Sequence, residues 1–499
     1  MASNASTTLA PNPAVSVNIA DIVENIDVFF VLTMAMVIFF MQCGFAFLEA
    51  GSVRSKNTTN ILMKNFLDAF VSGIAYWSVG YPFAFGKGNV FIGHRYFFSE
   101  SLPPSQYHLW FFHFVFAATA ATIVSGAMAE RCEFIAYLVY SFVITGIVYP
   151  IVTHWTWSSE GWLSQGNGVD SSYQDFAGSG VVHLLGGTAA LVGAAILKPR
   201  LGRFDETTSK PNTIPGHSVP LGALGGFILV FGFFAFNGGS QASISQPGDG
   251  AAIAEAIMNT VLAGSFAAFS ALIAFKVGFC CTYKCKPQGM LRRPWSLLRT
   301  INAALTGMVA ICAGCNVLYP WGAAVVGAVA GLLYLGASYV VLYLKIDDPL
   351  DAVAVHGVGG FWGLVAQPLL KMETGIVFLG TRKSFLDLAW NMIGAVAIIA
   401  WTAVICVVMF LILRVTGVLR VSKEYEIKGM DIPKHGEPAY PNASYGDGWP
   451  KENSESQNGE SIAFTNKIGM QECIVTEPKD DGVDNENFRR DSESDVTKF

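Results

Sequence analysis

Asp175-Phe-Ala-Gly-Ser-Gly-Val-Val-His183 sets a carboxylate and an imidazole eight residues apart at the head of an otherwise apolar run that continues to Leu197. A charge at mid-helix in a membrane costs roughly 2.5–3.5 kcal/mol on insertion scales, so such groups ask for a functional reason. The spacing recurs in Asp348-Pro-Leu-Asp-Ala-Val-Ala-Val-His356, which again leads into glycine and apolar residues. Two copies of Asp-x7-His, one in each half of an apolar chain, predict an internal duplication with a site where the halves meet.

The surroundings give the fold class. The chain has 499 residues, 52% hydrophobic and 14% charged, against about 25% charged in soluble domains. Its mean hydropathy is +0.44. These values predict an all-α polytopic membrane protein. Apolar stretches run over about 28–50, 61–85, 108–130, 133–157, 176–197, 217–237, 251–279, 297–315, 319–344, 352–370 and 388–418. Each approaches the ~20 residues that cross a hydrocarbon core. Helix is expected because lipid leaves no water for open backbone groups. Five stretches precede the 198–216 loop and five follow it, with a final helix after the second set. An odd-numbered repeat inserts upside down relative to its twin, which predicts a five-plus-five inverted repeat. His183 and His356 then fall at equivalent places, in the fifth and tenth stretches, near mid-bilayer. Gly178-x-Gly180, Gly186-Gly187, Gly222-x2-Gly225-Gly226 and Gly357-x-Gly359-Gly360 are placed to let helices approach closely.

Charge sets the orientation and marks off the ends. No Lys or Arg occurs from Met1 to Val53. Basic loops (Arg54 and Lys56; Lys198 to Lys210; Lys284 to Arg293; Lys345; Arg414 to Lys428) alternate with loops that have none. Lys87, Arg95, Lys371, Arg382 and Lys383 break the pattern. The positive-inside rule puts the N-terminus outside and the C-terminus in the cytosol. Residues 420–499 hold 17 acidic and 10 basic side chains, net −7, and the rest of the chain is net +1. The expected layout is an extracellular segment over 1–26, a transmembrane domain over 27–418, a cytosolic segment over 419–440 and a disordered acidic tail over 441–499. No cleavable signal sequence is read before the first apolar run. Asn4 opens a glycosylation sequon, meaningful only at an extracytosolic end.

Several residues admit two readings. His183 and His356 are either two unrelated core histidines, each bonded to a backbone carbonyl, or a facing pair that shares one proton between ring nitrogens. Such a pair titrates as a unit and could line a narrow pore. Asp175 is either an N-cap accepting from Ala177 or Gly178, or a carboxylate whose field orients a cation. Asp348 carries the same two readings. Trp155 and Trp157 fit an interfacial aromatic belt, and Phe116 fits packing. Aromatic faces beside a hydroxyl also hold small cations, with about 2 kcal/mol or more per cation–π contact once desolvated. Cys312-x-x-Cys315 reads mainly as packing, because no second cysteine pair or nearby histidine completes a zinc set. Cys280, Cys281 and Cys285 are expected as reduced thiols in a basic loop.

Together, Asp175 to His183, Phe236-Asn-Gly-Gly-Ser240, Gly126-Ala-Met-Ala-Glu-Arg131 and Asp347-Asp-Pro-Leu-Asp351 through His356-Gly-Val-Gly-Gly360 resemble the ammonium transporter (Amt/MEP) family. The resemblance runs from about residue 28 to about residue 440. It implies eleven transmembrane helices per subunit, a homotrimer in the plasma membrane and one pore through each subunit. It implies Trp157 and Ser240 as the outer ammonium site, and Phe116 and Phe236 as a stacked gate below it. His183 and His356 become the twin pore histidines, Asp175 the supporting carboxylate and Asp348 its repeat partner. Some members carry a second tryptophan where Phe233 stands. The expected substrate is ammonium or ammonia, extending to methylammonium. No enzymatic activity, cofactor, resident metal or nucleic-acid partner is expected. Ammonium would be captured and deprotonated near the gate, and ammonia would pass the histidines with or without the proton.

Three rivals stand beside this. A neutral ammonia or gas channel of the related Rh type would move methylammonium without current. A sensor would signal through the acidic tail. A membrane metalloenzyme would bind zinc at the histidines, for which the sequence offers no third ligand at helical spacing. The segment Lys428 to Tyr440 resembles the family's subunit-coupling segment, with Pro433 where several members carry a phosphorylatable threonine. Ser454, Ser456, Ser492 and Ser494 are alternative modification sites, and a solvated tail with no regulatory role is the plain reading. Asp175→Asn is expected to keep most of the cap while removing the charge.

Overall fold

A computed structural model describes residues 18–168, 170–278 and 294–441. They belong to one compact unit, Met1–Trp449; the second unit, Pro450–Phe499, lies outside the described residues. Asn4, Cys280, Cys281, Cys285 and the four tail serines also lie outside them.

Helix dominates, and among the described residues the only β pairing is a few isolated bridges. In chain order the α-helices are α1 (Ile19–Phe39), α2 (Met41–Ser52), α3 (Thr58–Ala75), α4 (Tyr81–Phe85), α5 (Tyr107–Met128), α6 (Phe134–Val143), α7 (Tyr149–Trp157) and α8 (Trp162–Gln165). After them come α9 (Leu185–Leu197), α10 (Val219–Gly238), α11 (Asp249–Val277), α12 (Leu297–Ile311), α13 (Pro320–Tyr343), α14 (Gly359–Leu370), α15 (Arg382–Val415) and α16 (Lys423–Lys428). Helix occupies each of the eleven apolar stretches. Among the described residues, nine helical runs are long and apolar enough to cross a membrane, and α12 is a shorter apolar helix. The run from α3 to α4 falls outside those nine. It carries a buried polar stripe, Asn60, Lys64, Asp68 and Ser72, at i, i+4 spacing.

Local chemistry sets the helix starts. Asn18, Ser218, Ser296 and Thr381 each accept a hydrogen bond from a backbone N–H two or three residues on, which satisfies donors the helix leaves open. Helix α15 begins six residues earlier than the hydropathy suggests because Thr381 caps it there. Its exposed Val396, Val404 and Ile412 fall at eight-residue intervals on one face. Such an apolar outer face is stable where the solvent is lipid. Helix α5 buries every residue from Phe114 to Met128 and forms the centre of the fold. A helix that is apolar all round belongs in such a place. The chain is thus a multi-pass, all-helical membrane protein.

Four π-helical turns lie within or at the head of apolar helices, at Tyr76–Gly80, Ile144–Val148, Ser179–Leu184 and Val353–Val358, and a fifth, Asp431–His435, follows α16. Such turns carry an extra residue and recur at functional positions. Two of the four contain His183 and His356, each at the head of a helix (α9 and α14). These two segments cross at Gly187, where a Cβ would stand 2.2 Å from the backbone N of Gly357. Only glycine permits that approach.

Candidate functional site

The two histidines meet. His183 Nδ1 and His356 Nδ1 are 3.1 Å apart, and the rings lie 5.2 Å apart at 20°. Of the two readings left open by the sequence, the structure therefore carries the facing pair. Two neutral imidazoles at this distance share one hydrogen, one Nδ1 donating and the other accepting. His183 Nε2 is buried with no partner among the described residues, so it presents a free ring edge away from His356.

Aromatic rings continue the column outward. Phe236 lies 5.3 Å from His183, and Phe116 lies 4.3 Å from Phe236 at 34°. The two phenylalanines are almost completely buried. Trp157 meets Phe116 edge-on at 6.0 Å, and its indole N–H donates to the Asp175 carbonyl at 2.9 Å. The Ser240 hydroxyl donates to the Phe236 carbonyl at 2.7 Å, which leaves the hydroxyl oxygen free to accept. Helices α5, α7 and α10, the 3-10 turn Gly239–Gln241 and the two π-turns thus bring Trp157, Phe116, Phe236, Ser240, His183 and His356 to one column. Phe233, whose place in the outer site was in question, stacks on His183 at 5.7 Å, below the Phe116–Phe236 pair. On the other side Phe45 of α2 faces His356 at 6.2 Å.

Asp175 is held more tightly than a simple cap. Its Oδ1 accepts from the N–H groups of Gly178 (3.1 Å) and Ser179 (2.8 Å). Its Oδ2 accepts from Gly180 (2.7 Å), Val181 (3.0 Å) and the Tyr173 hydroxyl (3.1 Å). The Ala177 N–H, one of the two donors expected, goes instead to the Cys312 carbonyl at 2.9 Å. Gly178 adopts φ +95°, the left-handed conformation that folds four successive N–H groups around one carboxylate. Both cysteines of Cys312-x-x-Cys315 are buried and free, and the turn after α12 serves through its backbone. Asp348 repeats only part of this. Its Oδ2 accepts from Val353 N at 2.8 Å, and its Oδ1 has no partner among the described residues.

Trp155 is not part of an exposed belt. It is buried, donates to the Phe91 carbonyl at 2.9 Å and packs against Phe91, Trp162 and Trp401. Among the described residues no cluster of His, Cys, Asp and Glu could hold a metal ion.

A buried ion network lies at the Arg54 and Lys198–Arg203 loops. Glu130, from Gly126-Ala-Met-Ala-Glu-Arg131, pairs with Arg54 at 3.0 Å and Arg200 at 2.8 Å. Asp347 pairs with Arg200 at 2.7 Å and Arg203 at 3.1 Å. Burial alone would raise the Glu130 carboxyl; Arg200 and Arg54 outweigh it and hold it down at about 2. Arg200 likewise keeps Asp347 far below the usual carboxylate range against the burial that opposes it. The chain after α15 packs onto the same side. Met430 N donates to Lys56 O at 3.1 Å, and Asp431 accepts from Asn60 N at 2.9 Å. His435 meets Asn60 at 2.8 Å, Lys434 pairs with Glu133 at 2.9 Å, and the Tyr440 hydroxyl meets His217 at 2.9 Å. Sequence reading took Glu130 only as part of a motif, because its partners are 70 or more residues away in the chain.

The chain is also similar to known proteins. The sequence pattern of the Ammonium Transporter Family matches residues 28–440. A Caenorhabditis elegans relative named for ammonium transport is 51% identical over 447 residues, covering 85% of this chain and 81% of its own. Ammonium transporter 1 member 3 of Solanum lycopersicum is 38% identical over 447 residues, covering 84% and 94%. A solved structure described as a sensor Amt protein superposes with a TM-score of 0.75 at 34% identity, covering 83% of this chain and all of the other. The chain therefore belongs to the ammonium transporter family.

Proposed function

We propose that the chain is a transmembrane ammonium transporter. Ammonium is recruited at Trp157 and Ser240, gives up its proton near the Phe116–Phe236 gate, and passes as ammonia along His183 and His356. The observation that carries this reading is the unbroken column from Trp157 through the 4.3 Å phenylalanine pair to histidines 3.1 Å apart. A bare ammonium-sized ion entering a medium of low dielectric meets an idealised cost of order 20 kcal/mol. Cation–π contact at the mouth offsets about 2 kcal/mol or more of it. A neutral molecule meets no such barrier, so this column favours ammonia. Asp175, with its full set of donors, sits at the head of the His183 helix and supports the positive charge before the proton leaves. Asp348 is its weaker repeat counterpart. The proton travels separately and makes transport electrogenic.

In the same reading, eleven helices cross the plasma membrane, with the N-terminal segment 1–26 outside and the C-terminal end in the cytosol. Three copies assemble, each with its own pore in residues 27–418. Residues 419–440 couple the copies. The likeness to a structure named as a sensor favours ammonium sensing as a second role. Reconstituted into planar bilayers under opposed pH and ammonium gradients, the wild type is expected to carry current with ammonium, and His183→Ala to conduct poorly or pass other cations. Normal transport with unchanged selectivity in His183→Ala overturns the pore assignment. Ammonia flux with no current points to the Rh-type channel.

A further inference from the structure

The column does not end at His356. Below it lies a small cavity of ≈ 30 Å³, lined by His356 and Phe45 and by the polar side chains Glu49, Thr122 and Asn302. A water needs roughly 10–15 Å³ of such space, so the cavity holds about two. Its rim residues Leu48, Asn302 and Leu350 also line a wider recess of ≈ 200 Å³ that reaches Asp351 and Arg299. These shared walls set the two cavities side by side, and Gly216, also lining the wider one, adjoins His217, which meets Tyr440 of the docked chain.

Glu49 is the acidic side chain lining that cavity. It is 1% exposed, and Asn65 (2.8 Å) and Ser125 (2.7 Å) both donate to its Oε2. Oε1 receives no hydrogen bond, and no ion pair reaches Glu49, among the described residues. The Tyr137 and Tyr140 hydroxyls nearby are buried without a hydrogen-bond partner among the described residues, whereas the charged neighbours are engaged elsewhere. Lys64 on α3 donates to the Cys132 carbonyl at 2.7 Å and lies over the Tyr137 ring of α6. Asp68 on α3 accepts from Thr122 and Ser141, each at 2.5 Å. Asn302 donates to the Leu350 carbonyl at 3.2 Å. A buried carboxyl with no cationic partner is costly, and a structural tie between α2, α3 and α5 could be made by an uncharged amide. The carboxyl adds the capacity to take and release a proton.

We infer that Glu49 is the proton-accepting group on the inner side of the twin histidines. This rests on the transport reading above and names the carrier for the second half of the proton's route. Ammonium leaves its proton at the gate and continues as ammonia. At the inner end the N–H bond of the His356 imidazolium breaks, and the proton crosses one water to Oε1 of Glu49. His356 becomes neutral, and Glu49 becomes a neutral carboxylic acid. Its O–H bond then breaks toward water in the wider recess, which forms hydronium and restores the carboxylate. No charge is created or lost, and ammonia needs no contact with Glu49.

The test uses the full-length protein in proteoliposomes, with ammonium-evoked charge movement and ammonia uptake measured on the same preparation. Glu49→Gln keeps the shape and removes the ionisable group. It is expected to keep ammonia uptake while charge moved per ammonia falls by at least about tenfold, as for loss of an acid–base group. Glu49→Asp, which retains a carboxyl on a shorter stem, is expected to recover part of the charge movement, and it serves as the deciding variant if Glu49→Gln fails to assemble. Unchanged charge per ammonia in Glu49→Gln overturns the inference, as does a parallel fall in charge and uptake, which marks a purely structural role. If Glu49→Asp is the only variant that assembles, its losing all charge movement overturns it too. Wild-type uptake without any charge movement overturns it together with the electrogenic step, while passage of ammonia through the column stands; no ammonium uptake at all removes the transport reading itself.

Discussion

Replacing Asp175 with Asn looks conservative and should not be. The carboxylate accepts five hydrogen bonds, two on Oδ1 and three on Oδ2. An amide has one accepting oxygen, and its NH2 would face donors. In the better orientation the amide oxygen keeps Gly180, Val181 and Tyr173, and the NH2 turns toward the N–H groups of Gly178 and Ser179. Those two buried donors lose their acceptor at about 1–3 kcal/mol each, so the variant is destabilised by about 2–6 kcal/mol before any effect on charge. The expectation that Asn keeps most of the cap is therefore corrected to about half. Thermal unfolding of purified protein in detergent should show Asp175→Asn melting several degrees below wild type, with Asp175→Ala lower still. Ser240→Ala, which removes a single hydrogen bond, to the Phe236 carbonyl, serves as the control. If Asp175→Asn melts with wild type, the five-bond cradle is not energetically real. If it melts lower yet transports ammonium normally at equal surface level, the carboxylate has no electrostatic role in recruitment.

Trp157→Leu should weaken apparent ammonium affinity by about thirtyfold, the equivalent of one lost cation–π contact of about 2 kcal/mol, with assembly intact; unchanged affinity would move the outer site elsewhere. The Glu130 carboxyl is held at about 2, below its ordinary 4.5. Its stabilising share is complete above about pH 4.5 and lost as the pH falls toward 2, so acid unfolding of Glu130→Gln, compared with wild type, should lack the component in that window. Truncation after Tyr440 should leave uptake nearly intact, whereas truncation before Lys428 removes the contacts of Met430, Asp431, His435 and Tyr440 and should impair uptake; equal uptake at equal surface expression would show that this segment does not couple the pores. Pro433 has no hydroxyl, so phosphate labelling of residues 428–440 should find nothing at that position.

Much of the column was legible because polar residues stand out in apolar sequence. Asp175 and His183 interrupt a long hydrophobic run, and the repeat at Asp348 and His356 gives the second half of the site. That the two histidines come together follows from that symmetry; their 3.1 Å separation comes only from the fold. The same rule applies to Glu49, Lys64 and Asp68, which also lie in predicted spans, yet none of them stood out. They sit at i, i+4 spacing on one helix face or close to a loop, where sequence cannot tell a buried polar stripe from a water-facing one. Trp155 shows the reverse error. Tryptophan at a helix end suits a membrane interface, and only the fold reveals that Phe91, Trp162 and Trp401 cover it. The double use of both Asp175 oxygens depends on Gly178 at φ +95°, a backbone choice that glycine permits but does not announce.

The single hydrogen between His183 and His356 limits how the pair can work. Suppose His183 donates through Nδ1 and takes a proton on Nε2. Its Nδ1 hydrogen then moves to His356, which releases its own Nε2 hydrogen on the far side. Afterwards the polarity of the pair is reversed, with His356 donating and His183 accepting. A second proton cannot follow in the same direction until both tautomers return. Ring rotation is the direct way back, and it is obstructed: Phe233 and Phe236 flank His183, and Phe45 flanks His356. The wire therefore holds a memory of its last passage, and each cycle includes a refractory interval unrelated to the gate. Heavy water should lengthen that interval and slow charge movement more than ammonia uptake, so the two fluxes would separate by solvent isotope alone.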